Sequence, residues 1–193
     1  LVLGTGIGGG IILNGKVLMG AHAAAGEVSC LVSDISKMAD DDFKLTSVER
    51  YSEAPLWAGM ASASGLIFEY ARQKHLPTGS PMPTGEEIFA AYNAGEPEAR
   101  QALKVFARRV AIGIVSLQSV LDVERVAIGG GISAAEALLP AIQTELNSLF
   151  ARCQDGFLRA FYQGQRSDTG RQLQGIKLNS SPVYVQPASD LRS

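Results

Sequence analysis

Hydrophobic positions change their spacing several times along this chain, and each change marks an element. Leu1 to Leu3 is a short apolar run that ends in Gly4-Thr5-Gly6-Ile7-Gly8-Gly9-Gly10. Ile11, Ile12 and Leu13 follow, then Asn14-Gly15, then Lys16-Val17-Leu18-Met19. Asn-Gly between two β-prone runs predicts a hairpin, because both central residues of a type I′ turn need positive φ. Residues 1 to about 21 therefore read as three successive strands joined by a glycine loop and a tight turn.

The period then becomes helical. Met60, Ser64, Ile67 and Ala71 recur at steps of three and four, which predicts one helix over residues 56–74. Pro77, Gly79, Pro81, Pro83 and Gly85 mark a loop. Thr84 stands three residues before Glu87, a capping-box spacing that starts a helix through Ile88, Phe89 and Tyr92. Leu103, Phe106, Val110, Ile114, Leu117 and Leu121 form one apolar stripe on a long helix over residues 98–121. Arg125 to Ile128 reads as a short buried strand running into Gly129-Gly130-Gly131, with a further helix over residues 134–152. Residues 34–44 and 155–175 read as loop, and residues 176–185 as a strand pair. There is no internal repeat.

Composition narrows the classes. A chain of 193 residues fits one domain or one large lobe of a two-lobed enzyme, and 46% hydrophobic residues supply a sizeable core. The net charge of −2 is close to balanced and Lys and Arg are scattered, so this segment lacks the footprint of a nucleic-acid binder. No apolar run reaches the roughly 18–20 residues of a membrane span. Two cysteines, Cys30 and Cys153, make no disulfide framework and fit a reducing cytoplasm. Leu1 begins directly in an apolar run and residues 190–193 carry no stop signal, so the chain reads as a piece of a longer protein.

The first glycine loop matches G-x-G-x-x-G, but a dinucleotide fold needs a helix directly after those glycines to hold the pyrophosphate. Here a hairpin follows, which excludes that reading. A Walker A loop is excluded too, because no Gly-Lys-Ser/Thr follows. Two readings stand for Gly4 to Gly10. Either it is only a tight β-turn, or successive backbone N–H groups converge on a phosphate with the Thr5 hydroxyl as a further donor. The Gly129-Gly130-Gly131 junction likewise reads as a plain glycine-rich turn or as a bed for a purine or ribose.

Together, the two glycine motifs and the Ala25-Gly26-Glu27 segment between them resemble the ROK family (repressor, open reading frame, kinase). The resemblance covers most of residues 1–150. It implies an α/β lobe of the ribonuclease-H-like, actin/hexokinase-like class, a mixed sheet flanked by helices, with residues 1–193 forming the C-terminal lobe. It implies ATP-dependent phosphorylation of a hexose or related sugar, with Mg²⁺, in a cytoplasmic homodimer. By the same resemblance Gly4, Thr5 and Gly6 contact the ATP phosphates, Gly129, Gly130 and Gly131 sit beside adenosine, and Glu27 accepts hydrogen bonds from sugar hydroxyls. Glu49 is a looser candidate for a second sugar-binding carboxylate, with Ala58 at the position that the helix alignment assigns to it. The catalytic aspartate is expected upstream of this chain, so the fragment alone is expected to be inactive.

The family's usual histidine after Gly-Glu falls at Cys30, and residues 32–44 contain neither Cys nor His, so no zinc is expected. That departure points to the zinc-lacking glucose or β-glucoside branch. Two alternatives share the fold: a sugar-responsive repressor with an upstream DNA-binding domain, and a catalytically inactive sugar- or nucleotide-binding module. Several residues have plainer readings. His22 fits a local backbone hydrogen bond better than a ligand contact, and His75 a helix C-terminus. Trp57 fits core packing better than sugar stacking, Asp40-Asp41-Asp42 a solvated run, and Cys153 an inert small side chain.

Overall fold

Asn14 and Gly15 adopt φ of 52° and 73° in the computed structural model, both in the left-handed region that the hairpin turn requires. The structure describes residues 1–32, 56–123, 125–153 and 184–187. Residues 33–55 and 154–183 hold the expected loops at 34–44 and 155–175, Glu49, and most of the expected strand pair at 176–185. These expectations lie outside the described residues.

Where three strands were expected there are four short ones, because the glycines break the pairing twice. Strands β1 (Val2–Leu3) and β2 (Ile7–Gly8) pair antiparallel, with Leu3 opposite Ile7. Strands β3 (Ile12–Leu13) and β4 (Lys16–Val17) form the Asn-Gly hairpin, with Leu13 opposite Lys16. Strand β5 (Arg125–Ile128) runs parallel to the other flank of β1. The Leu1 nitrogen donates to the Ala127 carbonyl at 2.7 Å, the Gly129 amide to Leu1 at 2.8 Å, and the Leu3 amide to Gly129 at 2.8 Å. Strand β6 (Tyr184–Pro187) pairs parallel with β5. The spatial order is β2, β1, β5, β6, and both glycine motifs leave the sheet at the same end, directly after β1 and β5.

The first predicted helix is split in two. Helix α1 (Trp57–Met60) stops at Ala61, and Ser62 caps α2 (Ala63–Gln73) by accepting the Gly65 amide at 3.2 Å. Periodicity is blind to this break, because a capped restart keeps apolar residues on one side. Helix α3 (Gly85–Asn93) carries the expected box: Thr84 Oγ1 accepts from the Glu87 amide at 3.2 Å, and the Thr84 amide donates to Glu87 Oε2 at 2.8 Å. Helix α4 (Pro97–Leu121) has Pro97 in its first turn, where a missing N–H costs nothing, and ends where Asp122 turns left-handed at φ 50°. A 3-10 turn over Gly131–Ala134 precedes α5 (Leu138–Cys153), so the last helix begins four residues later than the pattern implied.

The core surrounds α4. Leu103, Phe106, Val110 and Ile114 of its stripe are buried, as are Ala99, Ala102, Ala107 and Ala111, because helices α1, α2, α3 and α5 all pack on it. Small residues widen the buried band beyond one stripe and let neighbouring helices approach. Leu117 and Leu121 are only half-buried at the helix end. Trp57 lies wholly within this core and its indole Nε1 donates to the Arg109 carbonyl at 3.0 Å, which rules out a sugar-stacking role.

Candidate functional site

The glycines of the first motif divide into two groups by what they touch. A Cβ built on Gly6 would meet nothing within 4 Å, and on Gly4 only the Gly6 carbonyl at 3.9 Å, so these two leave open space around Thr5. Gly9 does the opposite. Its Cβ would stand 2.8 Å from the Gly26 carbonyl, while a Cβ on Gly26, at φ 92°, would stand 3.0 Å from the Gly10 Cα. Two stretches of bare backbone thus touch, and this contact seats Glu27 beside Gly9 and Gly10.

The orientation of the loop between β1 and β2 follows from its hydrogen bonds. The Ala63 amide donates to the Gly4 carbonyl at 2.8 Å, and Ser64 Oγ donates to the Thr5 carbonyl at 2.9 Å. The described residues contain no cis peptide, and in a trans peptide the C=O and N–H point in opposite directions. Two successive carbonyls held on the start of α2 therefore turn the Thr5 and Gly6 N–H groups away from that helix. Thr5 and Gly6 are exposed, and among the described residues neither these amides nor the Thr5 hydroxyl has a hydrogen-bond partner. Adjacent outward amides are the arrangement that accepts an anion.

The second glycine motif lies against the first. Gly130, at φ 103°, comes so close to Leu3 that an added Cβ would be 2.3 Å from the Leu3 carbonyl oxygen. Of its three glycines, Gly129 spends both backbone groups on the ladder to Leu1 and Leu3, whereas Gly130 and Gly131 are exposed. Ser133 closes the turn by donating its hydroxyl to the Gly130 carbonyl at 2.7 Å. The start of α3 borders it, with the Ile132 side chain 3.4 Å from where a Gly85 Cβ would stand.

Gly4, Thr5 and Gly6 are thus brought together with Gly129, Gly130 and Gly131. Glu27 follows Gly26, whose backbone touches Gly9 and Gly10, four and five residues after Thr5. It is exposed, and the Ser29 hydroxyl donates to one of its carboxylate oxygens. Cys30 is exposed. His22 is exposed, and His75 follows α2 at φ 52°, its amide on the Arg72 carbonyl, a C-terminal position as expected. Among the described residues no three His, Cys, Asp or Glu side chains converge on a point. Sequence reasoning missed Ser62, Ser64 and Ser133. The Ser-x-Ser-Gly run before α2 carries a cap signal, but its contact with a loop sixty residues earlier has no sequence signature.

This geometry defines a lobe of the actin/hexokinase-like ATPase fold, as in known ROK hexokinases. The chain belongs to the ROK family, whose pattern it matches over residues 1–170. It is 31% identical over 156 residues to an N-acetyl-D-glucosamine kinase of Shigella flexneri, covering 76% of this chain and 46% of that one. It is similar to the structure of a ROK family glucokinase from Streptomyces griseus in complex with glucose and AMPPNP, with 26% identity, a TM-score of 0.63, and coverage of 76% and 48%. The fold is also shared with a ROK family transcriptional regulator homologous to the Escherichia coli MLC protein, at 24% identity and a TM-score of 0.57, covering 76% and 36%. The chain spans about half the length of the curated relatives it matches. Among the described residues no helix is long and apolar enough to cross a membrane.

Proposed function

We propose that this chain is the C-terminal lobe of an ATP-dependent sugar kinase acting on a hexose, of the glucose or β-glucoside class, in which it holds the nucleotide and part of the sugar. The observation that carries the reading is the outward pair of amides at Thr5 and Gly6 beside the exposed Gly130-Gly131 turn. The kinase relatives, one of them solved with glucose and AMPPNP, support it. Phosphoryl transfer needs mainly positioning and charge stabilisation around the moving group, and preformed N–H donors supply both. In this reading the Thr5 and Gly6 amides and the Thr5 hydroxyl bind phosphate oxygens. Gly130 and Gly131, with Gly129 behind them, leave room for a flat nucleoside.

Glu27 accepts hydrogen bonds from sugar hydroxyls, with one oxygen steadied by Ser29. Glu49 belongs to the same proposal as a second sugar contact. Bound with the nucleotide, Mg²⁺ would supply neutralisation of part of the phosphate charge, beside the amides and hydroxyl that this chain contributes. The base that takes the proton from the attacking hydroxyl comes from the remainder of the parent protein, which we expect to be cytoplasmic and homodimeric.

The test is turnover by the parent protein with ATP–Mg²⁺ and a panel of hexoses, N-acetylhexosamines and β-glucosides. Thr5→Val is expected to weaken nucleotide binding about tenfold or more, the worth of one hydrogen bond to a charged group, and to leave sugar affinity unchanged. Glu27→Gln should show the converse in calorimetric titrations. No turnover on any sugar, together with intact binding of both ligands, would replace the kinase by a non-catalytic binding module. An equal loss of both ligands in Thr5→Val would make Thr5 a structural residue only.

A further inference from the structure

We infer that Ser64 is a positioning residue for the phosphate loop, holding the Thr5–Gly6 peptide in the orientation that offers its N–H outward. The inference rests on the proposed nucleotide site and adds a residue to it from a different element.

Apart from the bond to the Thr5 carbonyl, the peptide between Thr5 and Gly6 has no hydrogen-bond partner among the described residues. Gly6 has no side chain, a Cβ there would meet nothing within 4 Å, and both residues are exposed. A peptide preceding glycine can flip by half a turn when ψ of the first residue and φ of the glycine change together by about 150–180° in opposite senses, which leaves the flanking chain in place and which glycine tolerates. That rotation would point the Gly6 N–H toward α2 and the Thr5 carbonyl outward, presenting a negative dipole where a phosphate is to bind. The neighbouring Gly4–Thr5 peptide is held by the Ala63 backbone amide, a contact that any residue at position 63 other than proline makes. The Thr5 carbonyl is held by the Ser64 side chain, at 2.9 Å, across 59 residues of sequence.

Its location suits that task. Ser62 caps α2 through the Gly65 amide, so the helix start is already satisfied without Ser64. The Ser64 hydroxyl is therefore not needed as a helix cap and is committed to the loop. Ser64 is half-buried, so its loss leaves no buried donor or acceptor stranded and has little effect on stability.

The experiment compares Ser64→Ala and Ser64→Thr with the wild-type parent protein, titrating AMPPNP and glucose separately by calorimetry and following thermal unfolding. Ser64→Ala is expected to weaken AMPPNP binding about three- to tenfold, the range of one neutral hydrogen bond. Glucose affinity and the unfolding midpoint should stay at wild-type values, and Ser64→Thr, which keeps the hydroxyl, should recover AMPPNP binding. In turnover assays the loss should appear in KM for ATP and not in KM for sugar. Wild-type AMPPNP affinity in Ser64→Ala, alongside weakened affinity in Thr5→Val, overturns the role of Ser64 and leaves the nucleotide site standing. Equal loss of both ligands in Ser64→Ala, or no recovery in Ser64→Thr, also overturns it. Unchanged AMPPNP affinity in both Ser64→Ala and Thr5→Val removes the phosphate loop itself, and this inference with it.

Discussion

At the scale of single residues, the absence of a Cβ explains more of this protein than any charged group. Gly130 has φ 103° and would place a Cβ 2.3 Å from the Leu3 carbonyl, a backbone atom that cannot swing aside. Gly130→Ala therefore combines a left-handed strain of about 1–3 kcal/mol with overpacking of similar size. The expected loss is about 3 kcal/mol or more in chemical denaturation. A variant within 1 kcal/mol of wild type would mean that β1 and β5 separate easily at this end. Both glycine motifs were legible in the sequence as loops, and their resemblance to the ROK family implied phosphate and nucleoside contacts. Which glycines face outward was not legible: Gly9 and Gly129 are consumed by Gly26 and by the ladder to β1, contacts made between distant segments.

The start of α3 and both ends of α4 were readable to within a residue, because a capping box and a repeating apolar stripe are both local. The start of α2 was not, since Ser62 acts as a cap only once Met60 has ended the preceding turn. The packing of α1 on α4 was equally hidden. A Cβ on Gly113 would stand 2.1 Å from the Trp57 ring, so a glycine inside a 25-residue helix is a socket for an aromatic side chain. Replacing it with alanine gains up to about 1 kcal/mol in helix propensity but forces the indole out of place. The clash wins at that separation, and Gly113→Ala is expected to lose about 2 kcal/mol in thermal unfolding. Trp57 is the sole tryptophan, so a red shift of its emission reports the displacement directly.

At the scale of the whole molecule, one buried carboxylate ties the helices together. Glu69 of α2 is 3% exposed and is held by Arg72 at 2.5 Å and by Arg109 of α4 at 3.0 Å, with Gln73 Nε2 donating at 2.8 Å. Burial acts to raise its pKa, but the hydrogen bonds from Arg72 and Gln73 and the charges of Arg109 and Arg72 outweigh it and hold the carboxyl below its ordinary 4.5. A depressed folded-state pKa contributes stability that is complete above the unfolded value and disappears as pH falls through the folded one. Stability should therefore drop below about pH 4.5, and Glu69→Gln should flatten that limb while lowering stability at pH 7. An unchanged acid limb in Glu69→Gln would assign it to other carboxylates. The Tyr70 hydroxyl, pushed up to about 12 by burial and by the Glu96 carboxylate that accepts its hydrogen bond at 2.7 Å, stays a donor throughout this range.

The amino-acid sequence by itself determined the helices with local caps, the Asn-Gly hairpin, the strand before each glycine motif, and the family to which these motifs belong. The elements among these depend on interactions within about four residues, or on spacing along one element, and the family shows as a resemblance carried by motifs taken together. Only the tertiary structure decided that β1 and β5 lie side by side and bring both glycine turns to one end of the sheet. It also decided that Trp57 is core, and that α2 turns the Thr5 and Gly6 amides outward. Those outcomes depend on contacts between segments dozens of residues apart, where a hydrogen bond or a missing Cβ acts through space and leaves no period in the chain.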